Sequence, residues 1–244
     1  MSRHFIDIVR PGPATIAGAE AHHLLHVLRI AVGQTIFVFD GQGYEAVATV
    51  TALGKKTVEV QVNQPYLIER ESRLSIVLAF ALSKGDKPEW IAQKAVELGV
   101  REIIVFSAEH SVVRWKEADR SRKLARLEDV IRGAAAQCGR AFLPPCHFAA
   151  STAEAAQLLA DCPLRIAFHP EGSASLKNIL ATPIPINRVA LLCGPEGGLS
   201  PAEIDLLSGA GWSVCLLGPR ILRAETAALA AVAVVQAVTG DLCE

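Results

Sequence analysis

Along the chain the spacing of apolar residues changes character near residue 70, and that change predicts two units. Before it, apolar and polar positions alternate in short runs. Residues 34–39 are apolar, β-branched and aromatic, and Asp40-Gly41-Gln42-Gly43 is a turn signal. Residues 44–53 alternate again, and Gly54-Lys55-Lys56 turns the chain into residues 57–62. Period-two runs bounded by Gly, Asp and Asn read as half-buried strands. Strands this short and close together predict a small barrel. One helix, over about 19–30, precedes them, and the polar, Pro65-containing stretch 63–73 reads as a linker.

From Leu74 onward, continuous apolar runs alternate with helical periodicity. Residues 75–82 form such a run, as a strand covered on both faces requires. Asp86 with Glu89 three residues later is a capping-box arrangement that predicts a helix start. Residues 102–108 are the next strand and 117–138 a long amphipathic helix, after which Pro144-Pro145 breaks the chain. Three more short apolar strands follow at 164–168, 188–193 and 213–217. The last helix, about 225–239, is apolar nearly all round, the signature of a buried helix or a subunit interface. The alternation predicts an α/β unit with a parallel sheet covered by helices. The expected division is a β-rich unit over 1–70 and an α/β unit over 74–244.

Composition sharpens this picture. Aromatic residues are only 5% of the chain while apolar residues are 51%, so the core must be built from Ala, Val, Ile and Leu. Trp90, on an Ala- and Val-rich helix, is expected in that core, and Trp115 is a candidate for stacking on a base. The net charge of -1 excludes a wholesale polyanion binder and confines any nucleic-acid contact to a local patch. The basic residues concentrate at Arg114, Lys116, Arg120, Arg122, Lys123 and Arg126. That cluster is either a phosphate-contact surface or a solvated helix face laced with ion pairs.

The six cysteines include no C-x-x-C pair and several lie in apolar stretches, which predicts reduced, buried thiols in a cytosolic protein. Cys138, Cys146 and His147 lack zinc-ligand spacing, and His22 and His26 have no third ligand, so no metal is expected. Residues 1–10 contain no signal core, and the longest apolar run, 227–235, is too short to span a bilayer. The expectation is a cytoplasmic protein without a membrane partner.

Two glycine-rich segments carry the candidate chemistry. In the first, the strand 188–193 ends in Gly194-Pro195-Glu196-Gly197-Gly198-Leu199, and Ser200 then caps a helix with Pro201 first and Glu203 third. Glycines there let backbone approach a ligand, and ligands of α/β sheets sit at the carboxyl ends of strands. The spacing is neither a dinucleotide fingerprint nor a P-loop. Glu196 would repel a polyphosphate but suits hydroxyls or a cation. S-adenosylmethionine has ribose hydroxyls, a sulfonium and an ammonium group, and no phosphate. In the second segment a short strand ends in Leu217-Gly218-Pro219-Arg220-Ile221-Leu222-Arg223 before the last helix. Arg223 and Glu225 are not easily buried unpaired, so they flank a site.

Gly194-Pro195-Glu196-Gly197-Gly198-Leu199-Ser200, with Leu217-Gly218-Pro219-Arg220-Ile221-Leu222-Arg223-Ala224-Glu225-Thr226-Ala227, resembles the C-terminal signature of the SPOUT methyltransferases. It is most similar to the ribosomal RNA small-subunit methyltransferase E family. Ser83-Lys84-Gly85-Asp86-Lys87, the run from Gln93 to Val100, Gln137-Cys138-Gly139-Arg140 and Phe168-His169-Pro170 fit that family's upstream blocks. The run from His23 to Arg29 and Phe39-Asp40-Gly41 fit its N-terminal domain. Where the family often has Glu before Gln137, this chain has Ala136, which removes any role assigned to that glutamate.

The resemblance implies an N-terminal PUA-like β-barrel, a C-terminal SPOUT α/β domain with a trefoil knot, and a homodimer. It implies methylation of N3 of a uridine, position 1498 in the family's target, in 16S ribosomal RNA of the small subunit, with S-adenosylmethionine as donor. The donor-holding residues it implies are Gly194, Gly197, Leu217, Gly218 and Leu222, with Phe168 and Ile221 packing on the adenine. Arg223 is the candidate for a substrate phosphate or uracil oxygen, and either Glu196 or Glu225 for the base. Lys84, Gln137 and Arg140 would join Arg114, Lys116, Arg122 and Lys123 in contacting RNA. Two rival readings are ribose 2′-O-methylation on the same fold, and a non-enzymatic RNA-binding assembly factor. A third, a nucleotide-dependent oxidoreductase, lacks its phosphate fingerprint.

Overall fold

The computed structural model describes residues 1–181 and 187–243. The chain forms two compact units, one of Met1–Glu71 with Arg132–Leu143 and one of Ser72–Ile131 with Pro144–Glu244.

In the first unit, β1 (Arg3–Phe5), β2 (Gly12–Ile16), β3 (Thr35–Phe39), β4 (Tyr44–Leu53), β5 (Val58–Val62) and β6 (Tyr66–Leu67) form one sheet. Its order is β1-β3-β4-β5-β2, with β6 on β4. β1 pairs parallel with β3, and the remaining pairs are antiparallel. The alternation is real: in β5, Val58, Val60 and Val62 are buried while Glu59 and Gln61 face outward. They pack with Ile16, Leu24, Ile36 and Val38.

The single helix expected before β3 is instead a short α1 (Gly18–His22) that widens into a π-helical turn, His23–Val27. Leu28 N–H bonds His23 O at 2.9 Å, and Arg29 then takes the left-handed φ of 51°.

Residues 132–143 complete this unit. The Arg3 guanidinium donates to the carbonyls of Ala135 (3.0 Å), in the last turn of the long helix, and Arg140 (3.1 Å), just beyond it, which ties the first strand to this segment. Arg3 also ion-pairs with Glu45 at 2.6 Å.

The second unit alternates strands and helices: β7 (Ser75–Ala81), α2 (Lys87–Glu97), β8 (Glu102–Phe106), α3 (Glu117–Cys138), β9 (Cys146–Ala149), α4 (Thr152–Leu158) and β10 (Leu164–Phe168). Then come β11 (Ala174–Ser175), α5 (Leu176–Leu180), β12 (Arg188–Cys193), α6 (Pro201–Gly209), β13 (Ser213–Leu216) and α7 (Ala224–Thr239). The sheet runs β11-β13-β10-β12-β7-β8-β9, and its pairings are parallel. β7 and β12 are buried along nearly their whole length, which is why they read as unbroken apolar runs.

Two expectations fail here for identifiable reasons. The capping box at Asp86 does not form: Asp86 lacks the extended backbone of a cap, with φ -90° and ψ 15°, and the acids face Arg126 instead, Asp86 at 3.1 Å and Glu89 at 2.8 Å. Trp90 is 45% exposed rather than core, whereas Trp115 is buried against Phe148 with ring centroids 5.4 Å apart. Of the cysteines, Cys146, Cys162, Cys193 and Cys215 are buried, Cys138 is half-buried and Cys243 is exposed. Burial alone pushes the Cys193 thiol up to about 12.

Candidate active site

Three neighbouring parallel strands end at one level. Phe168 of β10 lies in register with Cys193 of β12 and with Cys215 of β13. The loops that follow them therefore emerge side by side at the carboxyl edge of the sheet, where such folds bind ligands. They enclose a cavity of about 390 Å³.

One wall is the glycine loop after β12. Gly198 N–H bonds Pro195 O at 2.9 Å in a turn that places Gly198 at φ +73°. A side chain at Gly194 would put its Cβ 3.0 Å from Leu199 Cγ, so glycine gives Leu199 room to pack against the loop.

The loop leads into a formed capping box. Ser200 N–H donates to the Glu203 carboxylate (2.8 Å) and Ser200 Oγ accepts from Glu203 N–H (3.3 Å). The same carboxylate accepts from Glu109 N–H at 3.0 Å and from the Thr152 hydroxyl. Burial would push the Glu203 carboxyl up, but these donors together hold it below the usual range. His110 is thereby brought against the loop, with its Nδ1 donating to Gly197 O at 3.2 Å.

The opposite wall is the loop after β13. Ile221 is 89% exposed, and Arg220 and Arg223 are exposed on either side of it. Gly218 takes φ +126°, and Arg223 is the N-cap of α7. The third element, after β10, is closed by His169 N–H donating to Cys215 O and Gly172 N–H donating to His169 O, each at 3.0 Å.

A cation stands behind both main walls. Lys87, in the first turn of α2, lies 2.8 Å from Glu196 Oε1 and 3.2 Å from Glu225 Oε2. The first contact is a hydrogen bond and the second a charge contact without hydrogen-bond alignment. Burial pulls the Glu196 carboxyl up, but the Lys87 ammonium and nearby backbone N–H groups outweigh it and leave it below the usual range. The hydrogen bond from Lys87 to Glu196 raises the lysine in turn.

Of the residues the sequence pointed to, Phe168, Gly194, Leu217, Gly218, Ile221 and Leu222 line the cavity, as do Glu196 and Arg223. Gly197 instead faces His110, whose Cβ would be 2.9 Å from an added side chain. Glu225 sits at Lys87.

The basic residues divide. Lys84, Arg114 and Lys116 are exposed, and Arg122 pairs with Asp119 at 2.9 Å. Lys123 lies over the Trp115 ring at 5.4 Å. In the first unit Gln137 is exposed. Arg140, expected on an RNA surface, is 5% exposed with its guanidinium on Glu71 at 2.6 Å. Sequence reasoning assigned no site role to Lys87, His169 or Arg220, and gave Glu203 only a capping role. All four lie within motifs it had singled out, but Lys87 and Glu203 take partners from distant segments.

Comparison with known proteins bears on what this site is. Residues 70–236 match the family described as the RNA methyltransferase domain, and residues 16–63 match the RNA methyltransferase PUA domain. The ribosomal RNA small subunit methyltransferase E of Bacillus subtilis (strain 168) is 32% identical, over 96% of both chains. This chain belongs to the ribosomal RNA small subunit methyltransferase E family. The family's Neisseria gonorrhoeae member, solved bound to S-adenosyl methionine, is 30% identical with a TM-score of 0.87 over 99% of each chain. A Legionella pneumophila chain solved with bound SAM is 35% identical with a TM-score of 0.92 over 98% of each. The family resemblance read in the sequence is thus borne out, as are the PUA domain and the mixed α/β fold. Among the described residues no cluster of ligands could hold a metal ion, and no helix is long and apolar enough to cross a membrane.

Proposed function

We propose that this protein transfers a methyl group from S-adenosylmethionine to N3 of a uridine, the position-1498 uridine of the family, in 16S ribosomal RNA. The observation that carries the reading is the cavity between the two Gly-Pro loops. Its volume of about 390 Å³ falls in the range of roughly 300–1,000 Å³ typical of small-molecule sites. Its lining combines Phe168, Leu199 and Leu222 for an apolar base, the Glu196 carboxylate for hydroxyl or cationic groups, and the cationic side chains of Arg220 and Arg223, which suits a nucleoside donor beside a nucleic-acid substrate. The two relatives solved with this compound support the same assignment.

When bound, the donor supplies an electrophilic methyl group on a sulfonium. The chain's own residues then align the reacting atoms, the main task in a displacement of this kind. The backbone around Gly194, Leu217 and Gly218 holds the nucleoside edge, while Phe168 and Ile221 cover the adenine. Arg223, exposed on the cavity rim, stabilises the negative charge that develops on the uracil as N3 passes its proton to a carboxylate, Glu196 or Glu225. Glu196 and Glu225 are the acids beside this centre. Glu196, held as an anion by Lys87, is a weak base at neutral pH. Lys84, Arg114 and Lys116 supply phosphate contacts.

A cytoplasmic homodimer completes the reading, supported by the exposed Val234 and Val238 on α7. So does the trefoil knot implied by the resemblance. The test is transfer from labelled donor to small ribosomal subunits lacking the modification, with nucleoside mass spectrometry. The expected product is 3-methyluridine. A 2′-O-methylated nucleoside would redirect the assignment to ribose chemistry, and no transfer with no donor binding would favour an RNA-binding assembly factor.

A further inference from the structure

We propose that Lys87 is a positioning residue that ties the two walls of the cavity together. Its one ammonium reaches Glu196, the carboxylate of the glycine loop, at 2.8 Å, and Glu225, in the first turn of α7, at 3.2 Å. Glu196 is itself a lining residue, and Glu225 stands two residues beyond Arg223, where the opposite loop enters the helix. Lys87 belongs to a third element, α2, which follows β7, the sheet neighbour of β12. A single charge thus links elements that follow three strands.

The geometry suits a tether better than a surface ion pair. The three side chains are only 31%, 31% and 15% exposed, so solvent screens them less than free surface charges. Without Lys87, two carboxylates directed at one point would repel each other. The walls would then separate, and a ligand held by backbone groups on both sides would have to re-order them on binding.

This inference deepens the donor-site reading, yet it is testable without that reading. In the ligand-free protein, Lys87→Met should raise amide hydrogen exchange about tenfold in residues 194–199 and 218–224. Lys87→Arg, whose guanidinium can still hold both carboxylates, should restore it. In calorimetry the methionine variant should bind S-adenosylmethionine and its neutral product, S-adenosylhomocysteine, each about tenfold more weakly, because a tether acts on both alike.

Wild-type exchange in the loops of Lys87→Met would overturn the proposal. So would a change confined to the cationic donor, which would make the cluster a charge detector instead. If the wild-type protein binds neither compound, the donor reading falls, while the exchange experiment still decides the tether.

Discussion

The two walls of the cavity are built in opposite ways. The glycine loop 194–200 is braced from outside: Leu199 folds beneath it, His110 holds the Gly197 carbonyl, and Glu203 fastens its exit to Glu109 and Thr152. The loop 217–223 has little of this. It carries Gly218 at φ +126° with open space around it, an Ile221 that is 89% exposed, and two exposed arginines. A braced wall keeps a fixed shape for a ligand that never varies. An open wall presents charge and apolar surface to something larger. The contrast sets a wall of fixed geometry against one that lines the same cavity with Leu217, Gly218 and Leu222 while leaving Arg220, Ile221 and Arg223 open to a larger partner.

This division can be broken or sharpened, beginning where the effect should be greatest. Arg223→Ala removes the charge from the open wall and should slow methyl transfer by about a hundredfold or more, while donor affinity in calorimetry stays near wild type. Wild-type turnover would take Arg223 out of the site. Gly197→Val attacks the braced wall, since its Cβ would lie 2.9 Å from His110 Cβ. Forcing that overlap should cost about 1–3 kcal/mol in denaturant melts and weaken donor binding in parallel. Donor affinity and stability that both stay at wild-type level would show that the brace is dispensable.

Glu203→Gln should show a smaller effect of about 1–2 kcal/mol, with a pH signature. A carboxyl held below its ordinary value of 4.5 contributes stability above that value and loses it as the pH falls through the folded-state value. The wild-type melting temperature should therefore drop as the solution is acidified below about 4.5, and the Gln variant should drop less steeply. Parallel curves would place the acid sensitivity elsewhere. Ile221→Ser, at the most exposed point of the open wall, should leave stability within about 0.5 kcal/mol. A large loss in a thermal melt would mean that this loop is packed in solution.

What could be read from sequence follows the same physics. The strand 188–193 was legible to the residue because burial beyond Arg188 leaves a continuous apolar run, and 164–168 because its buried end, Ile166 to Phe168, is apolar despite Arg165. The box at Ser200 and Glu203 was legible because it closes within three residues. The equivalent pattern at Asp86 and Glu89 did not close: Asp86 sits at φ -90° and ψ 15° rather than in the extended geometry of a cap, and both acids face Arg126, some forty positions away. Strand β9 and helix α4 escaped notice because four and seven residues carry too little periodicity. The lining of the cavity was largely legible from its glycines and prolines. Lys87 was not, since its meaning lies in two acids more than a hundred residues further on. Gly197 was read as an approach to ligand, whereas a side chain there would meet His110, a contact no local pattern encodes.

The assignment of residues 132–143 to the N-terminal unit has a consequence for biogenesis. A nascent chain ending at residue 71 offers Arg3 no helix terminus and Glu71 no Arg140. The leading unit must therefore wait on the ribosome, incomplete, until a segment about seventy residues later has been made. A gene fragment cut at the apparent linker would encode a half-lined shell, and the soluble fragment would need that distant stretch grafted back.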